Sequence, residues 1–369
     1  MKYELISILF LSVIIMTSMV LSYTSAHSQT TNDTLVPTNT SNNQNLLGSN
    51  MDSIQRIVQQ NSDGKLDVSI SPFSNETATI KNGTLIIDKA KIPIKYEQIG
   101  PLKILSGDML LPTQIVNGRA AVDKFITSSK WTNGNIPIVI DSNFPNQDRI
   151  TDALSYVQSL TPIRFVNVKY DLNNNILDTH YLRFIDGGSN GCFTFPGMVS
   201  PNDPLFTQTV TINDKRIDGF YGDNQYHGQP IVISDWCKFG NVVHEIGHVL
   251  GLWHEQTRCD REQYVEIDED NIKEDKITQY IALCDPSQPT LSPTSLGTNY
   301  DYCSIEHYPG KGGNAIDPNK PIMTPKYEVK GSVIAPTFEE IPCTDIGQRD
   351  GFSPTDLSAI KKAYSFVRR

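Results

Sequence analysis

The chain has 369 residues and a formal net charge of −10, with a pI near 5.2. That length suits one or two domains and allows a substantial core. The acidic balance argues against a nucleic-acid partner, which needs clustered Lys and Arg.

The N-terminus carries one lysine, then an almost unbroken apolar run from Leu5 to Leu21, then Thr24, Ser25 and Ala26. This reads as a signal peptide over residues 1–26, cleaved after Ala26. An uncleaved membrane anchor is the alternative, although the run is slightly short for a full span. The expected location is therefore extracellular, either secreted and free of the membrane or tethered outside the cytoplasm. Residues 27–50 are rich in Ser, Thr, Asn and Gln and read as a linker. Asn32, Asn39, Asn75 and Asn82 each begin an N-x-Ser/Thr sequon. Chance in an Asn- and Thr-rich stretch explains them equally well.

Strand-like runs follow in "GTLIID" and "KIPIKYEQI". "IVNGRAAVDKFI" offers a processing point at Gly118-Arg119, ahead of two alanines. "IPIVID" reads as a strand, and "QDRITDALSYVQSL" places Ile150, Ala153, Leu154 and Val157 at helical spacing. "IRFVNV" and "HYLRFI" are further strands, and "NVVHEIGHVLGL" is a buried helix by its apolar content. A terminal helix starts at "SPTD", with Ser353 as N-cap, Pro354 at N1 and Asp356 at N3. This order predicts an α+β fold.

Six cysteines, Cys192, Cys237, Cys259, Cys284, Cys303 and Cys343, all follow residue 190. An even count in an exported chain suggests disulfides, and the lack of a C-x-x-C pair argues against a cysteine zinc site.

On a helix, residues four apart share a face, so His244 and His248 of "HEIGH" can present two imidazoles to one cation. Glu245 sits beside them as a candidate general base. Gly251 can end the helix in a left-handed turn and return His254 to the same point. The whole pattern, "HEIGHVLGLWH", is H-E-x-x-H-x-x-G-x-x-H, the metzincin signature. It predicts one zinc ion on His244, His248 and His254, with a further position left for water.

The motif continues as "HEQTRCDREQYV", and the chain also holds "YDYCSIEHYPG", "IGQRDGFSPTDLSAIKKAY", "GQPIVI" and the Gly191-Cys192 pair. These resemble the astacin family of zinc metalloendopeptidases, from about Ala120 to Val367. The resemblance implies a two-lobed metzincin-like domain at 120–369. Its upper lobe would hold a twisted mixed sheet and the active-site helix; its irregular lower lobe would end in the C-terminal helix. It implies hydrolysis of protein or peptide substrates: Glu245 activates the attacking water and Tyr308 stabilises the oxyanion. Tyr308 would also ligate zinc at rest. Cys192, Phe193 and Thr194 match an edge strand that pairs with extended peptides, and Cys192–Cys237 match a family disulfide. Glu255 matches the glutamate that receives the new N-terminal amine, here Ala120 after an activating protease cuts behind Arg119. In the propeptide, which with the linker spans 27–119, "LSGDMLL" resembles the family's switch segment, so Asp108 would ligate zinc in the zymogen. An ordinary Gly-Asp turn is the plainer reading of those residues.

Three features depart from the family. Glu306 of "SIEHY" stands where a methionine floors the histidines, Pro162 replaces a cysteine, and no cysteine follows Cys343. A buried carboxylate is costly unless hydrogen-bonded or protonated, and Glu306 could serve as an acceptor for a histidine ring nitrogen. The other four cysteines allow three pairings, of which sequence order suggests Cys259–Cys284 and Cys303–Cys343. The rival to the enzyme is an inactive zinc-binding pseudoprotease that acts as a peptide-binding module; another keeps the chemistry but takes cell-wall cross-link peptides.

Overall fold

The computed structural model describes residues 78–365, apart from 88–89, 101, 113, 117–118, 122–123, 127–129, 142–143, 174–175, 179, 189–190, 200–209, 213–214, 218–226 and 288–294. The expected signal peptide, the linker and the sequons at Asn32, Asn39 and Asn75 lie outside the described residues. Among the described residues no helix is long and apolar enough to cross a membrane.

Eighteen strands are described. They are β1 (Thr79–Ile87), β2 (Ala90–Ile99), β3 (Leu102–Leu105), β4 (Met109–Leu110), β5 (Gln114–Val116), β6 (Arg119–Ala121), β7 (Lys124–Ile126), β8 (Asn135–Ile140), β9 (Arg164–Asn167), β10 (His180–Asp186), β11 (Phe193–Thr194), β12 (Val210–Ile212), β13 (Lys215–Ile217), β14 (His227–Ile233), β15 (Val265–Ile267), β16 (Met323–Pro325), β17 (Gly331–Ile334) and β18 (Glu340–Cys343). The α-helices are α1 (Asp148–Leu160), α2 (Phe239–Val249) and α3 (Pro354–Ala363).

Ten strands form one mixed sheet in the order β7-β1-β2-β3-β4-β11-β14-β10-β8-β9. β14, β10, β8 and β9 run parallel to one another, and β11 runs antiparallel to β14. The N-terminal meander β1–β4 continues this sheet through a parallel contact, Met109 opposite Thr194. The other strands make two-stranded hairpins or ladders, among them β5 with β6. Arg119 and Ala120 therefore sit in the short strand β6, with Ala120 opposite Ile115.

Helix α1 buries Ile150, Ala153, Leu154 and Val157, the stripe expected from its spacing. It stops at Thr161, whose backbone is extended because Pro162 follows. Buried Arg149 of α1 donates to the carbonyls of Ser234 and Cys237, which fixes the turn that launches α2. Helix α2 is buried on every side. Val242, Val243, Ile246 and Val249 are fully enclosed between the sheet, α1 and α3. Each such side chain contributes about 1.5–3 kcal/mol by leaving water, so α2 is a rigid platform.

The described residues of 255–350 form a largely irregular region of short 3-10 turns and two-stranded ladders. It has its own apolar cluster, including Val265, Ile272, Tyr308 and Met323. Helix α3 follows, with the predicted cap: Ser353 Oγ accepts from the Asp356 N–H at 2.9 Å, and Asp356 Oδ2 accepts from the Ser353 N–H at 3.0 Å. The architecture is α+β, a sheet with helices packed on it, then an irregular part closed by a terminal helix. The cysteines pair as Cys192–Cys237, Cys259–Cys284 and Cys303–Cys343.

Candidate metal centre

His244 and His248 lie one turn apart on α2, which ends one residue later at Val249, ahead of Gly251. Gly251 has φ +97°. Its N–H donates to the His248 carbonyl at 2.8 Å, and the Leu252 N–H donates to the Gly247 carbonyl at 3.0 Å. These are the two bonds of a Schellman motif, which a left-handed residue at this position closes. The reversed chain brings His254 back beside the helix. The three imidazole rings lie 4.6 to 5.3 Å apart, centre to centre.

Each helical imidazole is held from behind. His244 Nδ1 lies 2.9 Å from the Ile305 carbonyl, and His248 Nδ1 lies 3.0 Å from the Leu252 carbonyl. Carbonyls accept only, so both Nδ1 atoms carry hydrogen and both Nε2 lone pairs face inward. His254 Nε2 is 3.4 Å from His244 Nε2.

A carboxylate from the N-terminal meander enters this ring. Strands β3 and β4 form a hairpin whose three-residue loop is Ser106, Gly107 and Asp108. Ser106 (φ 53°) and Gly107 (φ 93°) are both left-handed, which aims Asp108 at the histidines. Asp108 Oδ1 lies 3.0 Å from His254 Nε2 and 3.6 Å from His248 Nε2; Oδ2 lies 3.4 Å from His244 Nε2. Tetrahedral zinc with bonds of 2.0–2.1 Å separates its ligand atoms by about 3.3–3.4 Å. The observed spacings fit that geometry, and all four ligand atoms lie within 4.8 Å of one another. The set His244, His248, His254 and Asp108 can hold one zinc ion.

Electrostatics agree with a cation-seeking site. Burial opposes ionisation of Asp108, yet the facing histidines, His254 first, hold its carboxyl well below the usual range. Glu245, fully buried beside His244, is pushed well up, by burial first and by the Asp108 charge second. His248 is pushed up to about 10: burial opposes the charged ring, but the Glu306 and Asp108 carboxylates outweigh it, so this position favours a positive charge, which a proton on Nε2 supplies when no metal holds the lone pair.

The remaining predicted residues sit around this centre. The Tyr308 ring packs 4.6 Å from that of His254, and its hydroxyl donates to the Ser106 carbonyl at 2.5 Å. A Cβ on Gly107 would stand 2.8 Å from that hydroxyl, so the glycine is what lets the loop approach. Phe193 and Thr194 are buried in β11, and the Thr194 N–H donates to the Asp108 carbonyl at 3.1 Å. The edge expected to receive a peptide thus carries β4. Cys192 precedes it, tied to Cys237 just ahead of α2.

Glu255 accepts from Arg258 at 3.2 Å and from the Asp301 N–H at 2.7 Å, and burial pushes it up to about 8. It borders a small cavity shared with Asp301, Glu306 and Asp356. Glu306 lies directly behind the helical histidines.

Several residues that complete the site lie within the quoted motifs, but sequence alone assigns them no role. Gln256 Oε1 accepts from the Tyr308 N–H at 3.0 Å. His307 Nδ1 donates to the Tyr308 carbonyl at 2.7 Å, and its Nε2 accepts from the Tyr300 hydroxyl at 2.8 Å. Buried Arg349 donates to the His307 carbonyl at 3.2 Å. Their roles follow from contacts with Tyr308, His307 and each other that no residue spacing announces.

Residues 219–365 match the family model Astacin, which describes a family of peptidases. The chain is similar to Bone morphogenetic protein 1 of Xenopus laevis, 30% identical over 240 residues, covering 63% of this chain and 27% of that protein. It is similar to Zinc metalloproteinase nas-34 of Caenorhabditis elegans, 29% identical over 234 residues, covering 61% of this chain and 32% of that protein. It thus spans about a third or less of these relatives' length. Among solved structures, High choriolytic enzyme 1, a hatching enzyme zinc-protease from Oryzias latipes, is 25% identical, covers 64% of this chain and 93% of its own, and superposes with a TM-score of 0.44. The region that carries the three histidines, residues 219–365, is thus similar to the astacin peptidases.

Proposed function

We propose that this chain is an exported zinc-dependent endopeptidase made as a zymogen. The observation that carries the reading is the Asp108 carboxylate seated among the inward Nε2 atoms of His244, His248 and His254. A segment that precedes the family-matched region fills the metal position, as an inhibitory prosegment would.

In this reading residues 1–26 direct export, 27–119 form linker and prosegment, and 120–369 form the catalytic domain. Three disulfides in the described part suit an oxidising compartment. A partner protease cuts behind Arg119, and the prosegment leaves. Asp108 is withdrawn, which removes one of the negative charges that hold Glu245 in its acid form. The Ser106 carbonyl leaves with it and frees the Tyr308 hydroxyl. β4 uncovers β11, so an extended protein substrate can pair with Phe193 and Thr194. The Ala120 amine becomes the partner of Glu255.

Zinc, when bound, supplies Lewis acidity to a water and to the substrate carbonyl. Glu245 takes the proton of the attacking water and returns it to the leaving amine. The Tyr308 hydroxyl, as zinc ligand at rest, turns to donate to the carbonyl oxygen as charge develops there.

The test is hydrolysis of an unstructured protein by the form that begins at Ala120, with Glu245→Gln as control and zinc content measured for both. Cleavage by the first alone supports the reading. Stoichiometric zinc with no cleavage by either supports the inactive binding module, whose one structural argument is the extra buried carboxylate of Glu306. Release of peptides from cell walls but not from casein would change the substrate class.

A further inference from the structure

Glu306 occupies the floor beneath the metal centre, and it is 1% exposed. One of its oxygens, Oε2, lies 3.0 Å from His244 Nδ1 and 3.4 Å from His248 Nδ1. These are the nitrogens that face away from the metal position. The hydrogens they carry point chiefly at the Ile305 and Leu252 carbonyls, so the carboxylate adds an electrostatic contact shared by both rings.

The other oxygen, Oε1, needs room that one residue provides. A Cβ on Gly247 would stand 2.1 Å from Oε1 and 3.3 Å from Cδ of Glu306. Gly247 lies inside α2, where glycine costs about 1 kcal/mol against alanine. Its backbone φ is not left-handed, so the turn requirement of Gly251 does not apply here. The missing side chain leaves the room that the carboxylate fills.

We propose that Glu306 is a positioning residue for the zinc ligands His244 and His248, acting as a shared carboxylate behind both rings in the room that Gly247 leaves. This rests on the zinc reading of the site. The physical effect has two parts. A negative charge behind an imidazole raises the basicity of the opposite nitrogen, which strengthens its bond to a cation. A fixed partner also limits ring rotation, so the two lone pairs stay aimed at one point.

The test uses the full exported chain, with zinc affinity read by competition against a chromophoric chelator and thermal stability read separately on the zinc-free protein. Glu306→Gln keeps the volume and removes the charge; its zinc dissociation constant should rise about 10–100-fold, the range seen for lost outer partners of ligating histidines. Glu306→Asp should recover part of that loss. Gly247→Ala should weaken zinc binding to a similar extent by displacing the carboxylate. In a Glu306→Ala background the same glycine replacement should have no further effect on zinc. A merely space-filling role predicts the opposite pattern: Glu306→Gln within twofold of wild type, and Gly247→Ala neutral for zinc. That result overturns the proposal, while wild-type protein that binds no zinc overturns the metal reading itself. Should Glu306→Gln fail to fold, the Gly247 comparison in the two backgrounds decides alone.

Discussion

Asp108 Oδ1 stands 3.0 Å from His254 Nε2, which joins the tip of an N-terminal hairpin to the residue that completes the histidine triad. The two are 146 positions apart in sequence (254 − 108). The contact couples access to the metal position to the placement of the β3–β4 loop.

Replacing Asp108 tests that coupling. Asp108→Ala in the uncut chain removes one charged ligand while β4 keeps its place on β11. A charge-assisted bond of this kind is worth about 1.5–3 kcal/mol, so residual hydrolysis of a short reporter peptide by the uncut chain should rise roughly 10–100-fold. The assay needs an Arg119→Ala background, so that processing cannot supply the activity. Unchanged background activity would show that the strand pairing of β4, and not the carboxylate, keeps the metal position covered.

Glu245 is the next test. Its burial and its place one residue after His244 suit a proton carrier and leave the ligand set intact. Glu245→Gln should lower kcat by about 10²–10⁴-fold with zinc content unchanged. Loss of zinc alongside activity would instead make it a structural support of the ligands.

The parts of this arrangement that were legible in sequence are those set by local geometry. The spacing of His244 and His248, the glycine at 251 and the Ser353 cap each follow from a single turn of helix or its end. The stripe on α1 follows from period alone. The ten-stranded sheet was not legible, because β1 to β4 join it through one short parallel contact at Thr194 and Met109. Two-residue strands carry no periodic signal, and their partners lie far off in sequence. The same holds for Ser106, Gln256 and Arg349, whose contacts at the site come from the folding of the irregular region and the hairpin tip.

His307 gives a pH prediction. It is fully enclosed, donating through Nδ1 to Tyr308 and accepting at Nε2 from Tyr300. Burial pushes its pKa down to about 4 from 6.5. A depressed folded value means the unfolded chain binds the proton more readily, so this group's stability is present above pH 6.5 and is lost as pH falls toward 4. The shift corresponds to about 3 kcal/mol. Denaturant unfolding in a chelator should show a shallower acid limb for His307→Gln than for wild type. Parallel limbs would place the titrating group elsewhere.

Gly251 separates backbone conformation from packing. A Cβ there would meet nothing within 4 Å, yet φ is +97°, so alanine loses only conformational freedom to adopt the turn. Holding a non-glycine residue in such a region costs about 1–3 kcal/mol. Two bonds of the Schellman turn depend on it, and one of them, from Leu252 N–H to Gly247, fixes the carbonyl that orients His248. Gly251→Ala should therefore lower stability by that amount and also weaken zinc binding, because His254 and the back of His248 move together. The measurement is unfolding free energy with and without zinc. A larger loss with zinc than without it ties the turn to the metal; equal losses would confine its role to ending the helix.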